Sequence, residues 1–360
     1  MSQPRNKANY HFIVLGLISV LIALFTFVMR EFGLIPILSE NLSNYESERD
    51  TSLSNSPSSS RPRKNITTAT LVNTLSGGGW YYALGITPDG KTLISGNENG
   101  IIEIWDLQTG ESKFTLTEHG LSVISVAISP DGKTLVSGSK DKTINIWNLQ
   151  TRKLKSTLVG HHDDVWSVVI SPDGKTLVSG SSDDTIKIWN LQTGELKSTI
   201  PTNSRIVRSL VISPDGKTLV SGGVDIIKIW NLQTGKLKAT LTGHSNTIFS
   251  LAISSDGKTL LSGSCDRTIK IWNLQTGELK STLSGHHDCT WSVAISPNGK
   301  TFFSIGDDLL IKIWNLQTGE LESTLHANPS AAFSLAISPD GNTLVSGDYG
   351  NLKIWRLFSQ

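Results

Sequence analysis

The sequence predicts an all-β chain that forms a seven-bladed β-propeller with four antiparallel strands in each blade. The dipeptide Ile-Trp recurs every 41 or 42 residues, and a turn of Ser or Thr followed by Pro-Asp-Gly recurs with it, in two copies as a variant. No segment between residues 68 and 360 has an apolar repeat of helical period. The seven tryptophans that mark the repeat are Trp105, Trp147, Trp189, Trp230, Trp272, Trp314 and Trp355.

One repeat shows how the four strands are predicted. Residues 248–254, 259–264, 268–273 and 278–283 are short apolar or alternating runs, which we name strands a, b, c and d. Turn residues separate them, including the Gly that takes a positive φ between a and b. A sheet of this size cannot bury both faces alone, whereas seven sheets packed radially can.

The two ends of the repeat region are complementary. The last repeat stops after strand c, and residues 68–75 (TATLVNTL) match the strand d sequence ELKSTL but precede the first strand a. The sequence therefore predicts that this N-terminal strand completes the last blade and closes the ring. A closed ring has no open strand edge to promote aggregation.

With seven such units, residues 68–360 resemble the WD40-repeat family. Its Trp-Asp signature is present as Trp105-Asp106, is Trp-Asn in five blades and becomes Trp355-Arg356 in the last. The resemblance implies a scaffold for protein partners, so we expect no enzyme activity.

A His and an Asp recur with the Trp in four blades, 28 and six residues before it. The set suggests a hydrolase triad, but four copies of one catalytic site in a domain would be unusual. The resemblance implies a structural network instead, in which a Ser of strand b takes part and each buried polar group is paired. Which Ser of each Ser-Gly-Ser takes part is open. The predicted network residues are His119, Asp141, Trp147, His161, Asp183, Trp189, His244, Asp266, Trp272, His286, Asp308 and Trp314.

Blades 1, 4 and 7 depart from this pattern. Gly77, Asn203 and Asn328 stand at the His position, and Asn99 replaces the Asp of blade 1. We expect these blades to be less rigid.

Other chemistry has little support in the sequence. The pairs His161-His162 and His286-His287 lack the converging ligands of a zinc site, so neither a metal nor a cofactor is predicted. Phosphate-loop, nucleophile-elbow and C-x-x-C motifs are absent from the sequence. Lys and Arg total 32 against 31 for Asp and Glu, which argues against nucleic-acid binding. Cys265 and Cys289 lie in loops of neighbouring blades, with two free thiols favoured over a disulfide.

The N-terminal region predicts a membrane tether: a short tail at 1–11, a transmembrane helix at 12–30 and a disordered Ser-rich linker at 31–67. Eighteen uncharged residues begin at Phe12 and span about 27 Å as a helix. A cleaved signal peptide is the rival, although no A-x-A-like site follows, and a membrane-surface helix is a third reading. Arg and Lys near the span slightly favour a single-pass protein with its propeller outside the cytoplasm.

One face of the propeller should carry the functional surface. The a–b and c–d turns are nearly identical in every repeat, whereas the b–c and d–a turns on the other face vary. Five residues before the end of each strand a, one position points to the mouth on the varied face, where the family commonly contacts peptides. By register, Trp80, Glu98, Lys140, Asp164, Ser182 and Asp307 lie nearby. The mouth residues are Tyr82, Ile124, Trp166, Arg208, Phe249, Trp291 and Phe333.

These residue types are enriched at interface hot spots, although aromatic rings packed between blades are the simpler interpretation. We therefore predict a membrane-tethered, non-catalytic scaffold, with a monomeric propeller that binds a protein or peptide at its mouth. The alternatives are an extracytoplasmic ligand-binding or sensor protein and an enzyme that uses the central channel. An enzyme would need a polar, titratable channel lining, whereas this sequence predicts an aromatic channel lining.

Overall fold

The computed structural model describes residues 67–326 and 333–359, and every regular element in these two ranges is a β-strand. The predicted all-β class is therefore confirmed. The chain divides into two units between Arg63 and Lys64, and the described residues all belong to the second. Within the described ranges no helix is long and apolar enough to cross a membrane. The tail, the span at 12–30 and all but the last residue of the predicted linker lie outside the described residues.

Blades 2 to 6 are each a separate four-stranded antiparallel sheet, with the strands in sequence order. In blade 5, strands b and c have the predicted bounds, whereas strand a ends one residue earlier and strand d lies one residue later than predicted. The strands of these five blades are β5 (Val123–Ile128), β6 (Thr134–Ser139), β7 (Ile144–Asn148), β8 (Lys153–Leu158), β9 (Val165–Ile170), β10 (Thr176–Ser181), β11 (Thr185–Asn190), β12 (Leu196–Pro201), β13 (Ser209–Ile212), β14 (Thr218–Gly222), β15 (Ile226–Asn231), β16 (Leu237–Thr242), β17 (Ile248–Ile253), β18 (Thr259–Ser264), β19 (Thr268–Asn273), β20 (Leu279–Ser284), β21 (Thr290–Ile295), β22 (Thr301–Gly306), β23 (Leu310–Asn315) and β24 (Leu321–His326).

Blades 7 and 1 share one long strand, which is how the two ends of the propeller meet. The first part of this strand pairs with the last strand of the chain, from Thr67 opposite Ser359 to Ser76 opposite Asn351. Its second part is strand a of blade 1. The order in this seven-stranded sheet is β25 (Ser334–Ile337), β26 (Thr343–Gly347), β27 (Tyr349–Ser359), β1 (Thr67–Ile86), β2 (Thr92–Asn97), β3 (Ile102–Asp106) and β4 (Ser112–Leu116).

The turns between strands a and b are held by their own side chains. Asp131 accepts hydrogen bonds from the Ser129 hydroxyl at 2.5 Å and from the Lys133 backbone N–H at 3.1 Å. Gly132 has φ of 70°, which an L side chain rarely adopts. The recurring Pro-Asp-Gly sequence and its variants therefore build the same turn on the same face of each blade.

The hydrophobic core lies between neighbouring blades. One cluster joins Val178 and Ile186 of blade 3 to Leu210 and Trp230 of blade 4. Corresponding clusters fill the other interfaces, including that between blades 7 and 1, where Leu352 belongs to the cluster. Each blade thus depends on both neighbours for its burial, as expected for a ring of sheets.

A row of serines joins the innermost strands, and sequence reasoning missed it. The backbone N–H of Val168 in blade 3 donates to Ser125 Oγ in blade 2 at 3.0 Å. The same bond recurs at the next four interfaces, each time from the residue two positions after the mouth residue. The signal in the sequence was a Ser directly after the mouth residue. The accepting serines are Ser125, Ser167, Ser209, Ser250 and Ser292.

Candidate functional site

The recurring His, Asp and Trp meet inside each of blades 2, 3, 5 and 6. In blade 2, Trp147 Nε1 donates to Ser137 Oγ at 2.8 Å. The Ser137 hydroxyl lies 2.7 Å from His119 Nε2, and His119 Nδ1 lies 2.8 Å from Asp141 Oδ2. The Ser is the first of each Ser-Gly-Ser in blades 2, 3 and 5, and Ser304 takes its place in blade 6. The other three sets are Ser179 with His161, Asp183 and Trp189; Ser262 with His244, Asp266 and Trp272; and Ser304 with His286, Asp308 and Trp314.

These sets are arranged as buried hydrogen-bond networks. Ser179 is fully buried and receives the Trp189 N–H, so its oxygen is not accessible to a substrate. Burial raises the pKa of Asp183, but hydrogen bonds from Thr185, His162 N–H and His161 outweigh burial and hold the pKa at about 2. Burial lowers the pKa of His161, against the opposing effect of Asp183. Near neutral pH the network therefore joins a carboxylate to a buried imidazole.

Blade 1 has a replacement network. The Tyr81 hydroxyl donates to Glu103 Oε2 at 2.6 Å, and Trp105 Nε1 donates to Ser95 Oγ at 3.0 Å. Ser95 also hydrogen-bonds Glu103, whose pKa is raised by burial. A Cβ at Gly77 would overlap the Tyr81 hydroxyl, so the glycine at the His position makes room for this group. The expectation that blade 1 is less rigid did not take into account that Tyr81 and Glu103 replace the His and Asp of blades 2, 3, 5 and 6.

Blade 4 is anchored through its neighbour instead. Asp184, in the b–c turn of blade 3, accepts hydrogen bonds from the Thr202 hydroxyl and from the Ser204 backbone N–H, the latter at 2.8 Å. These two residues flank Asn203, which stands at the His position. Trp230 retains its bond to Ser221 at 2.8 Å.

Blade 7 has a buried carboxylate in its b–c turn. Asp348 Oδ1 accepts from the Asn351 backbone N–H at 3.1 Å, whereas Oδ2 is buried with no hydrogen-bond partner in the described part of the chain. Burial raises the pKa of Asp348 to about 6. Asn328, at the His position of this blade, lies outside the described residues.

The predicted mouth residues form a ring of side-chain contacts, which we call the mouth ring. Ring centroids lie 4.2 Å apart between Phe249 and Trp291, 5.0 Å between Trp291 and Phe333, and 5.5 Å between Phe333 and Tyr82. Each pair joins two neighbouring blades. The aromatic residues thus pack between blades, as the simpler interpretation proposed, while each remains partly exposed.

Two cations complete the mouth ring. Arg208 Cζ lies 3.5 Å from the Trp166 ring centroid and 5.3 Å from that of Phe249. Lys140 Nζ lies 5.5 Å from the Tyr82 ring and 5.8 Å from the Trp166 ring. Ile124, between Tyr82 and Trp166 in blade order, is buried. Lys140, in the same blade as Ile124, therefore connects Tyr82 of blade 1 to Trp166 of blade 3.

The two mouth tryptophans are held by the b–c turns of their own blades. Trp166 Nε1 donates to Ser182 Oγ at 2.7 Å, and Trp291 Nε1 donates to Asp307 Oδ1 at 2.6 Å. Burial raises the pKa of Asp307, while the bond from Trp291 opposes that rise. These bonds fix the orientation of each indole in the mouth.

The aromatic surface continues beyond the mouth ring at blades 7 and 1. Trp80 lies 5.0 Å, centroid to centroid, from both Phe333 and Tyr349. Tyr349 is 54% exposed. Sequence reasoning did not find Tyr349, because the b–c turn of blade 7 diverges in length and sequence from the other repeats.

The cationic side of the mouth contains an unpaired donor. Arg208 Nε is buried and has no hydrogen-bond partner among the described residues. Burial lowers the pKa of Arg208 to about 10, and the charge of Asp164 opposes this. Burial and Asp163 raise the pKa of Asp164, against the opposing charges of Lys140 and Arg208.

The cysteine prediction is wrong. Cys265, in the b–c turn of blade 5, and Cys289, in the d–a loop of blade 6, form a disulfide. Both loops lie at the varied face and belong to neighbouring blades. Ligand atoms of Asp288, Cys289 and Asp307 lie within 4.8 Å of one another, but a disulfide sulfur is not a thiolate ligand.

Comparison with known proteins assigns the seven repeats to a protein family. The family WD40, described as WD domain, G-beta repeat, matches residues 69–106, 110–148, 152–190, 194–231, 235–273, 277–315 and 319–356. A search of the curated proteins finds no match. The matched segments cover most of the chain and follow the blades described above, with each match running from a strand d to the next strand c. The chain belongs to the WD40 repeat family.

Proposed function

We propose that this protein is a non-catalytic scaffold that holds a protein partner at the mouth ring. WD40 repeats generally mediate protein–protein interactions, and the continuous, partly exposed circuit of aromatic and cationic side chains supports this site. Aromatic residues and Arg dominate the energetic centre of protein interfaces. We further propose that residues 12–30 tether the propeller to a membrane.

Packing between blades explains part of the mouth ring but not all of it. Interblade contact accounts for the pair Phe249 and Trp291 without any partner. It does not account for a guanidinium whose Nε is buried and unpaired, nor for Tyr349, which is more than half exposed. Both features favour a surface that is completed by another molecule.

The test uses the full-length protein as bait in a detergent extract of membranes from the cells that express it. Captured proteins are quantified by mass spectrometry. Trp166→Ala combined with Trp291→Ala should abolish capture of the specific partner. Lys217→Ala combined with Lys258→Ala changes two exposed side chains on the opposite face and should leave capture unchanged. A melting curve for each variant checks folding. Undiminished capture by the double tryptophan variant would refute docking at the mouth.

A further inference from the structure

We infer that the mouth ring receives an acidic segment of the partner, in which one carboxylate pairs with Arg208. This inference rests on the proposed docking of a partner at the mouth ring. It adds the chemistry of the group that docks and the residue that recognises it.

The guanidinium of Arg208 is held in place but forms no ion pair with any residue that the structure describes. Its face stacks on Trp166 at 3.5 Å, and Phe249 lies on another side at 5.3 Å. Stacking covers the face of a guanidinium and leaves its N–H donors directed outward in the plane. In the described part of the chain the Arg208 side chain makes no ion pair, and Nε donates to no acceptor. Burying a charged donor without an acceptor costs free energy. An anion that accepts from Arg208 would therefore remove a desolvation cost that the free protein already carries.

Of the charges around Arg208, Lys140 favours an incoming anion and Asp164 opposes one. Lys140 lies on the same Trp166 ring at 5.8 Å, so this indole contacts two cations. Asp164 acts on Arg208 through its charge but forms no ion pair with it. A carboxylate matches the planar fork of Arg and can accept two parallel hydrogen bonds from it.

Two acids of the mouth, Asp307 and Glu98, in contrast already have donors. Asp307 accepts the indole N–H of Trp291 at 2.6 Å, and Glu98 accepts the backbone N–H of Trp80 at 3.3 Å. A cationic ligand would have to compete with these bonds. A carboxylate at Arg208 competes with no hydrogen bond of the described residues, and the partly exposed ring of Trp80 and the exposed ring of Tyr349 offer apolar surface elsewhere in the mouth.

The experiment selects peptides from a random displayed library on the full-length protein. We expect enrichment of peptides with Asp or Glu at one position, next to an apolar or aromatic residue. The best peptide and its counterpart with Asn or Gln at that position are then synthesised, and their affinities are measured by fluorescence polarisation. The amide peptide should bind wild type about tenfold more weakly, or worse.

Arg208→Gln removes the charge and keeps most of the side-chain length. This change should lower the affinity for the acidic peptide by a similar factor. It should not lower the affinity for the amide peptide any further. Arg152→Gln is the matched control, because Arg152 also lies over an aromatic ring, Phe114 at 4.7 Å, but sits in the c–d turn of blade 2 on the opposite face. It should bind the acidic peptide like wild type. Arg208→Lys keeps the charge and should lose less affinity for the acidic peptide than Arg208→Gln. This comparison separates loss of recognition from misfolding.

The outcomes separate this inference from the docking proposal. Peptides that bind without an acid, or that tolerate Arg208→Gln but not the double tryptophan change, would overturn carboxylate recognition and leave docking in place. Enrichment of Lys or Arg peptides would assign a cation to the mouth instead. A library that gives no enrichment on wild type, or peptides unaffected by both changes, would overturn both proposals.

Discussion

Ser137 links Trp147 to His119: its Oγ accepts the indole N–H at 2.8 Å and lies 2.7 Å from His119 Nε2. One small side chain thus satisfies two buried groups on different segments of blade 2. Among the described residues, the equivalent Ser221 of blade 4 hydrogen-bonds Trp230 and no histidine, because Asn203 stands at the His position there. The two serines form a natural comparison.

Ser137→Ala should therefore be more destabilising than Ser221→Ala. Each buried donor or acceptor left without a partner costs about 1–3 kcal/mol, and the first change leaves two such groups, the second one. Urea denaturation followed by tryptophan fluorescence measures both losses. Equal losses would show that His119 finds another partner when Ser137 is removed.

Gly77→Ala should lower the melting temperature. Its Cβ would overlap the Tyr81 hydroxyl and displace it from Glu103, whose carboxylate is buried beside Ser95. Gly78→Ala is the matched control, because a Cβ there meets nothing within 4 Å. Differential scanning calorimetry of the two variants tests this. A Gly77→Ala protein that melts like Gly78→Ala would argue against the Tyr81–Glu103 network.

Deletion of residues 68–75 should cause aggregation and a lower melting temperature. Most of the pairing between β1 and β27 involves these residues, so the deletion leaves β27 as an open strand edge. Deletion of residues 52–59, the same length of chain in the Ser-rich region, is the control. Size-exclusion chromatography and melting curves compare the two. A soluble 68–75 deletion with unchanged melting would contradict closure of the ring by this strand.

Asp348→Asn should stabilise the protein at alkaline pH. Because burial raises the pKa of Asp348 to about 6, the folded state binds a proton more tightly than the unfolded chain does. The contribution of Asp348 to stability is therefore present below pH ~4 and is lost as pH rises through about 6. At pH 8 the Asn variant should melt above wild type, and the difference should vanish at pH 4. A lower melting temperature for the variant at pH 8 would show that the fold uses the charged form.

The Cys265–Cys289 disulfide and the predicted topology can be tested together. Disulfides persist in oxidising compartments, so we expect this bridge to be intact in cells if the propeller lies outside the cytoplasm, as the sequence predicts. In intact cells a protease should remove an epitope tag placed after Gln360. Both cysteines should resist alkylation until reduced. A protected tag together with two reactive thiols would place the propeller in the cytoplasm.

The sequence by itself determined the number of blades and, to within one residue in blade 5, the strand bounds. Those properties follow from local rules, because the alternation in strand c and the Pro-Asp-Gly turn act within a few residues. The spacing alone also groups His119, Asp141 and Trp147 in one recurring set. Repetition of one unit seven times made each local signal easy to recognise.

Only the tertiary structure decided which groups meet across blades. The stacking of Arg208 on Trp166, the Cys265–Cys289 bridge and the exchange of a His network for Tyr81 and Glu103 have no signature in the spacing of the repeats. The first two are contacts between neighbouring blades, and the third depends on the space that Gly77 leaves inside blade 1. Strand pattern is a property of one repeat, whereas these contacts depend on the packing of side chains between repeats and within the folded blade.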